Sequence, residues 1–132
     1  GDFKGHLYPD AFDFLQAQHN NDIALYVYSS GSVKAQQLLF KYSDYGDIRS
    51  LFTDFFDTKV GAKQEQAAYN TIVKLLPFKA AEILFLSDVA GELDAAQAAG
   101  LKTLHLIRDG QASTKAHPYI NDFSQFKLEQ LV

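Results

Sequence analysis

The sequence predicts an α/β domain built on a doubly wound parallel sheet, and three observations lead to that class. Short apolar runs rich in β-formers alternate with amphipathic segments of helix length. The links between them are short, as right-handed crossovers in such sheets are. The runs at residues 23–28, 83–86 and 103–107 are almost continuously apolar, the pattern of strands covered on both faces.

In chain order, Pro9 and Asp10 open the first helix, where a carboxylate can cap free N–H groups and Phe12 shares a face with Leu15. The strand 23–28 follows, then a helix over 33–40 behind a serine-rich turn. A weaker strand is expected at 54–57. The longest helix is placed at about 63–76, with Ala68, Ile72, Leu75 and Leu76 on one stripe before Pro77 stops it. Strand 83–86 leads to a helix over 92–99 that ends at Gly100, the residue type favoured for a left-handed cap. Strand 103–107, an exposed loop at 109–118 and a short helix over 124–131 complete the chain. There is no internal repeat or low-complexity tract, so residues 1–132 read as one domain.

At 132 residues such a domain can bury a core without staples. Its 47% hydrophobic and 21% charged residues place it among globular rather than disordered chains. A net charge of −4 argues against a nucleic-acid surface, which needs clustered Lys and Arg. There is no cysteine, hence neither a disulfide framework nor a thiolate metal site, which suits a reducing cytosol. No apolar run approaches the roughly 20 residues that span a bilayer, and Gly1-Asp2-Phe3-Lys4 is no signal peptide. A soluble cytoplasmic protein without a membrane partner is therefore expected. The sequence contains no Met and reads as a processed or truncated portion of a longer protein.

Three segments carry residues suited to phosphate and a divalent cation, each where a strand gives way to a helix: YSSGSVKAQ at 28–36, VGAK at 60–63 and LFLSDVAGELD at 84–94. Ser29, Ser30 and Gly31 can offer hydroxyls and free N–H groups to an anion at a helix start. Taken alone, a capped turn with Ser32 as N-cap is the commoner use of these residues. Lys63 at a helix start opposes the helix dipole, which suggests an anionic partner, although a solvated lysine relieved by Glu65 is the more ordinary arrangement. Asp88 directly follows an apolar strand and Glu92 lies four residues on, a spacing that suits magnesium as well as it suits a simple helix cap at Ser87 or Asp88.

The remaining candidates are weaker. Asp44, Asp47, Asp54 and Asp57 lack the spacing of a calcium loop and read as loop and capping residues. His105 lies within a strand and reads as packed, while His6, His19 and His117 have no partners at metal spacing. Phe52, Phe55 and Phe56 read as core and interface rather than as a ligand box.

Taken together, these segments resemble the haloacid dehalogenase superfamily. Its phosphatases use an aspartate nucleophile, a Ser or Thr after the second strand, a Lys and an acidic metal-binding turn. Within it, YSSGSVKAQQLLF, FFDTKVGAK and EILFLSDVAGELDAAQAAG resemble the enolase-phosphatase (acireductone synthase) family of methionine salvage, and the likeness runs over nearly the whole chain, GHLYPD included. The resemblance implies a Rossmann-like core in which Ser29, Ser30 and Lys63 hold the substrate phosphate, Lys63 serves catalysis, Asp88 binds Mg2+ and Glu92 supports the metal from behind. It implies a small phosphorylated diketone as substrate, 2,3-diketo-5-methylthiopentyl 1-phosphate.

The sequence departs from that family at its beginning. The Asp-x-Asp element after a first strand has no counterpart before Ile23, because Asp2, Asp10 and Asp13 do not follow a strand, and the cap that accompanies it is also absent. The isolated chain is therefore expected to be inactive. In the superfamily the missing strand is central, so strands 23–28 and 83–86 are expected either to pair directly or to flank a gap. Such a gap would be filled by the chain's own missing amino-terminal segment or by a second copy. Two other functions compete: a non-catalytic phosphate- or partner-binding module, and a flavodoxin-like regulatory domain with Asp88 as receiver carboxylate, which the serine turn and VGAK disfavour.

Overall fold

The computed structural model describes residues 7–108, 116–127 and 129. The chain divides into two compact units, Gly1–Lys59 and Val60–Val132.

The first unit opens with α1, Pro9–Asn20, which has proline in its first turn, as its fixed φ favours. Asp10 lies in that first turn, but the N-cap is Tyr8 and no side chain caps the helix. Asp22 turns the chain at φ 61°, and the Ile23 N–H closes the helix on the Gln18 carbonyl at 3.0 Å. That use of Ile23 shortens the expected strand. β1 covers only Tyr26–Tyr28 and runs parallel to β2, Asp54–Phe56, with Tyr26 opposite Asp54 and Tyr28 opposite Phe56.

Between them lies α2, Val33–Lys41, whose N-cap is Ser32, its Oγ accepting from the Ala35 N–H at 3.1 Å. Phe40, Phe52 and Phe55 form one aromatic cluster with centroids 4.6 to 5.9 Å apart. Phe12 stacks on Tyr45 at 4.0 Å. Of Phe52, Phe55 and Phe56, only Phe56 is buried in the core, while Phe52 and Phe55 are half-buried within the cluster.

The second unit holds α3, Gln66–Leu75, then β3, Leu84–Ser87, α4, Ala90–Ala98, β4, Lys102–Leu106, and β5, Tyr119–Ile120. The three strands are parallel in the order β3-β4-β5, with Leu84 opposite Lys102 and His105 opposite Tyr119. β5 was not expected from sequence, since two residues give no periodicity to read. α3 begins three residues later than the sequence suggests. The Glu65 N–H bonds the Ala62 carbonyl at 3.0 Å, so residues 62–65 form a turn and Lys63 precedes the helix. The buried stripe of α3 is Ala68, Tyr69 and Ile72, whereas Leu75 is 60% exposed.

α4 ends as expected, Gly100 at φ 94° following the Ala99 cap. Where a helix was expected at 124–131, the structure has a 3-10 turn at Phe123–Gln125 followed by extended Phe126; residues 128, 130 and 131, like most of the 109–118 loop, lie outside the described residues.

Only β4 has a buried centre, at Thr103, Leu104 and His105; every residue of β1 and β3 is half-buried. Full coverage of those two strands was expected from their apolar runs. The reason for the difference is pairing: among the described residues β1 pairs only with β2 and β3 only with β4. The expected direct pairing of β1 with β3 is not among the strand pairings of the described residues. No helix is long and apolar enough to cross a membrane among the described residues.

Candidate active site

In the first unit the serine turn grows from the end of the β1–β2 ladder. The Ser29 N–H continues that ladder by donating to the Phe56 carbonyl at 3.1 Å, and the Ser29 Oγ accepts from the Gly31 N–H at 3.2 Å. Ser29 is half-buried and Ser30 exposed. The capped-turn reading of this segment is the one observed: Ser32 caps α2, and Ser29 and Ser30 precede it in the chain.

Two residues shape the turn, Gln36, which sequence reasoning passed over, and Asp57, which it read as a capping residue. The Gln36 Nε2 donates to the carbonyls of Gly31 and Phe56, each at 2.8 Å. Asp57 is 7% exposed; its carboxylate accepts from the Val33 N–H at 3.3 Å and the Lys59 N–H at 2.9 Å. The Lys59 N–H, aided by that of Val33 and opposed by burial, holds the Asp57 carboxyl below its ordinary value of 3.8. Reading Asp57 as a capping residue agrees with these bonds. No sequence signal marked Gln36, because a glutamine on a helix, here followed by Gln37, breaks no pattern.

In the second unit the Lys63 ammonium lies 3.0 Å from Glu92 Oε1, with side-chain exposures of 26% and 10%. Ser87 Oγ donates to the same carboxylate oxygen at 3.0 Å and accepts from the Val89 N–H at 3.0 Å. The turn bearing Lys63 is fixed from below by Tyr69, fully buried, whose hydroxyl donates to the Lys63 carbonyl at 2.6 Å. Gly61 permits this turn at φ 131°, a value L side chains avoid, and a Cβ there would meet Ala68 Cβ at 2.9 Å.

Asp88 follows β3 and is exposed. Its carbonyl accepts from His105 Nε2 at 3.2 Å, while its carboxylate has no partner among the described residues. His105 is packed, as expected. His117, given no role from sequence, is buried between Thr103 Oγ1 and Asp94 Oδ1, each at 2.7 Å.

The structure thus brings Lys63 and Glu92 together, with Ser87 as a third member, and leaves the Asp88 carboxylate open. Ser29 and Ser30 belong to the other unit. Among the described residues no group of three His, Cys, Asp or Glu side chains gathers to hold a metal. Asp88 fits as a single ligand, because Mg2+ commonly takes one or two protein carboxylates and keeps several waters.

Parallel strands alternating with helices in both units are the architecture of a haloacid dehalogenase-like core. Solved structures agree: the UTR4 protein of Saccharomyces cerevisiae matches 96% of this chain and 59% of its own at TM-score 0.83 and 36% identity. The L-2-haloacid dehalogenase RSc1362 matches 86% of this chain and 50% of its own at 0.73 and 20%. The HAD-hydrolase YfnB of Bacillus subtilis, whose structure is bound to magnesium, matches 90% and 54% at 0.70 and 21%.

No family model matches the chain. Enolase-phosphatase E1 of Pectobacterium carotovorum is 52% identical over 130 residues, 98% of this chain, and that of Serratia proteamaculans is 54% identical over 128 residues, 97% of it. Within its superfamily the chain is homologous to the enolase-phosphatases. It spans 57% and 56% of the length of these two relatives.

Proposed function

We propose that this chain supplies the phosphate-holding and metal-holding loops of a Mg2+-dependent enolase-phosphatase that converts 2,3-diketo-5-methylthiopentyl 1-phosphate to the acireductone. Identity of 52% over 130 residues to a protein named for that activity is the observation that carries the reading. Ser29 and Ser30 hold the substrate phosphate through hydroxyl and N–H donors. Lys63 neutralises charge on the phosphoryl oxygens as the group transfers. Glu92 keeps the Lys63 ammonium in place with Ser87 at its back, and through that contact supports the neighbouring metal position. Asp88 is a metal ligand. Mg2+ would supply charge stabilisation for the transferring phosphoryl group.

The phosphoryl acceptor is a carboxylate from a segment outside these 132 residues, and that segment is the first partner of the open β1 and β3 edges. The isolated chain is therefore inactive. The protein works in the cytoplasm on a small anionic substrate and binds no nucleic acid.

The test is phosphate release from the diketone phosphate with Mg2+ present. It compares the chain alone with the chain fused behind the amino-terminal part of the Pectobacterium carotovorum relative. Turnover by the fusion and none by the chain alone is expected. Turnover by the chain alone would place the nucleophile within these residues and overturn the division of labour.

A further inference from the structure

Gln36 makes contacts that a residue serving only the core has no use for. It is 5% exposed on α2, its Nε2 donates to the Gly31 and Phe56 carbonyls, and its buried Oε1 has no hydrogen-bond partner among the described residues. The amide cannot be turned over, because its oxygen would then face two carbonyl oxygens. A leucine would fill the space without stranding an acceptor. What Gln36 supplies is a pair of donors that fix two backbone carbonyls, one in the serine turn and one at the end of β2.

A trans peptide is planar, with its N–H directed opposite its C=O. Drawing the Gly31 carbonyl onto Nε2 therefore directs the Ser32 N–H the other way. Among the described residues neither that N–H nor the Ser30 N–H has a partner. The Phe56 carbonyl that Gln36 grips also receives the Ser29 N–H, and the adjacent Asp57 caps α2 at Val33.

We propose that Gln36 is a positioning residue for phosphate recognition, setting the Gly31–Ser32 peptide plane so that the Ser32 N–H joins Ser29 and Ser30 as a donor to the anion. The proposal rests on the serine turn being the phosphate loop. It adds a donor and a brace that the sequence motif does not reveal.

The test uses the 132-residue chain, labelled with nitrogen-15 and titrated with inorganic phosphate while backbone and side-chain amide signals are followed. Phosphate should shift the Ser30 and Ser32 N–H signals, and the Gln36 side-chain amide should exchange with solvent far more slowly than that of exposed Gln37. Gln36→Leu, folded by its unchanged core signals, should bind phosphate about tenfold more weakly. Gln37→Leu should bind as the wild type does. Gln36→Met, which keeps the length without the donors, should repeat the loss and serves if the leucine variant does not fold. Wild-type protein that takes up no phosphate at this turn overturns the phosphate assignment and the proposal together. Phosphate bound at the turn with equal affinity in the wild type and a folded Gln36 variant overturns the brace alone.

Discussion

Lys63 sits in a partly buried pair with Glu92, and both donors aimed at Glu92 Oε1 come from elsewhere in the chain. Replacing Glu92 by Gln removes the charge and keeps the shape, and the residual exposure of Lys63 limits the cost. A destabilisation of about 1 kcal/mol is expected in urea unfolding. Asp57 gives a pH-dependent counterpart. Its carboxyl is held below 3.8 in the folded chain, first by the Lys59 N–H, so its contribution is complete above the unfolded value and disappears as pH falls through the folded one. Asp57→Asn should therefore be less stable than wild type at neutral pH. In urea titrations at successive pH values the gap should narrow below about pH 4. A gap that widens on acidification would contradict the assigned hydrogen bonds.

At the scale of elements, glycine geometry gives the sharpest expectations. Gly61→Ala forces a Cβ onto Ala68 at a left-handed φ and disturbs the turn that carries Lys63, so a loss of about 2 kcal/mol is expected by chemical denaturation. Gly100→Ala meets only Ala80 Cβ at 3.3 Å and should cost about 1 kcal/mol. The same elements show what the sequence made legible. Strand positions 54–57, 83–86 and 103–107 were readable within a residue or two because their apolar runs are bounded by turn residues. The start of α3 was not, since the bond from Glu65 to Ala62 makes a turn out of residues with no turn signature. Tyr69 was missed because its ring packs on Phe85 at 5.0 Å while its hydroxyl reaches back to Lys63, a dual use that periodicity does not encode. Ser29, Lys63 and Asp88 were visible as candidates from their places after strands. Asp57 and Ser87 were legible only as capping residues and Gln36 not at all, because the partners of all three are set by the fold.

Across the molecule, each unit carries a parallel sheet with an edge that lacks the usual guards. Tyr26, Val27 and Tyr28 in β1 and Leu84, Phe85 and Leu86 in β3 include neither charge nor proline, and each strand is paired on one side only among the described residues. Supplying the amino-terminal part of an enolase-phosphatase relative by fusion should raise the thermal midpoint by at least about 5 °C and reduce aggregation relative to the chain alone. An unchanged midpoint would mean the edges are satisfied in another way. The central claim is that Ser29, Lys63 and Asp88 serve one phosphate and one metal, and a crystal structure of that fusion with Mg2+ and inorganic phosphate tests it most directly. Phosphate hydrogen-bonded to Ser29 and Lys63, with the Mg2+ on Asp88, is the expected result. Phosphate or metal bound well while these three side chains touch neither would contradict the account.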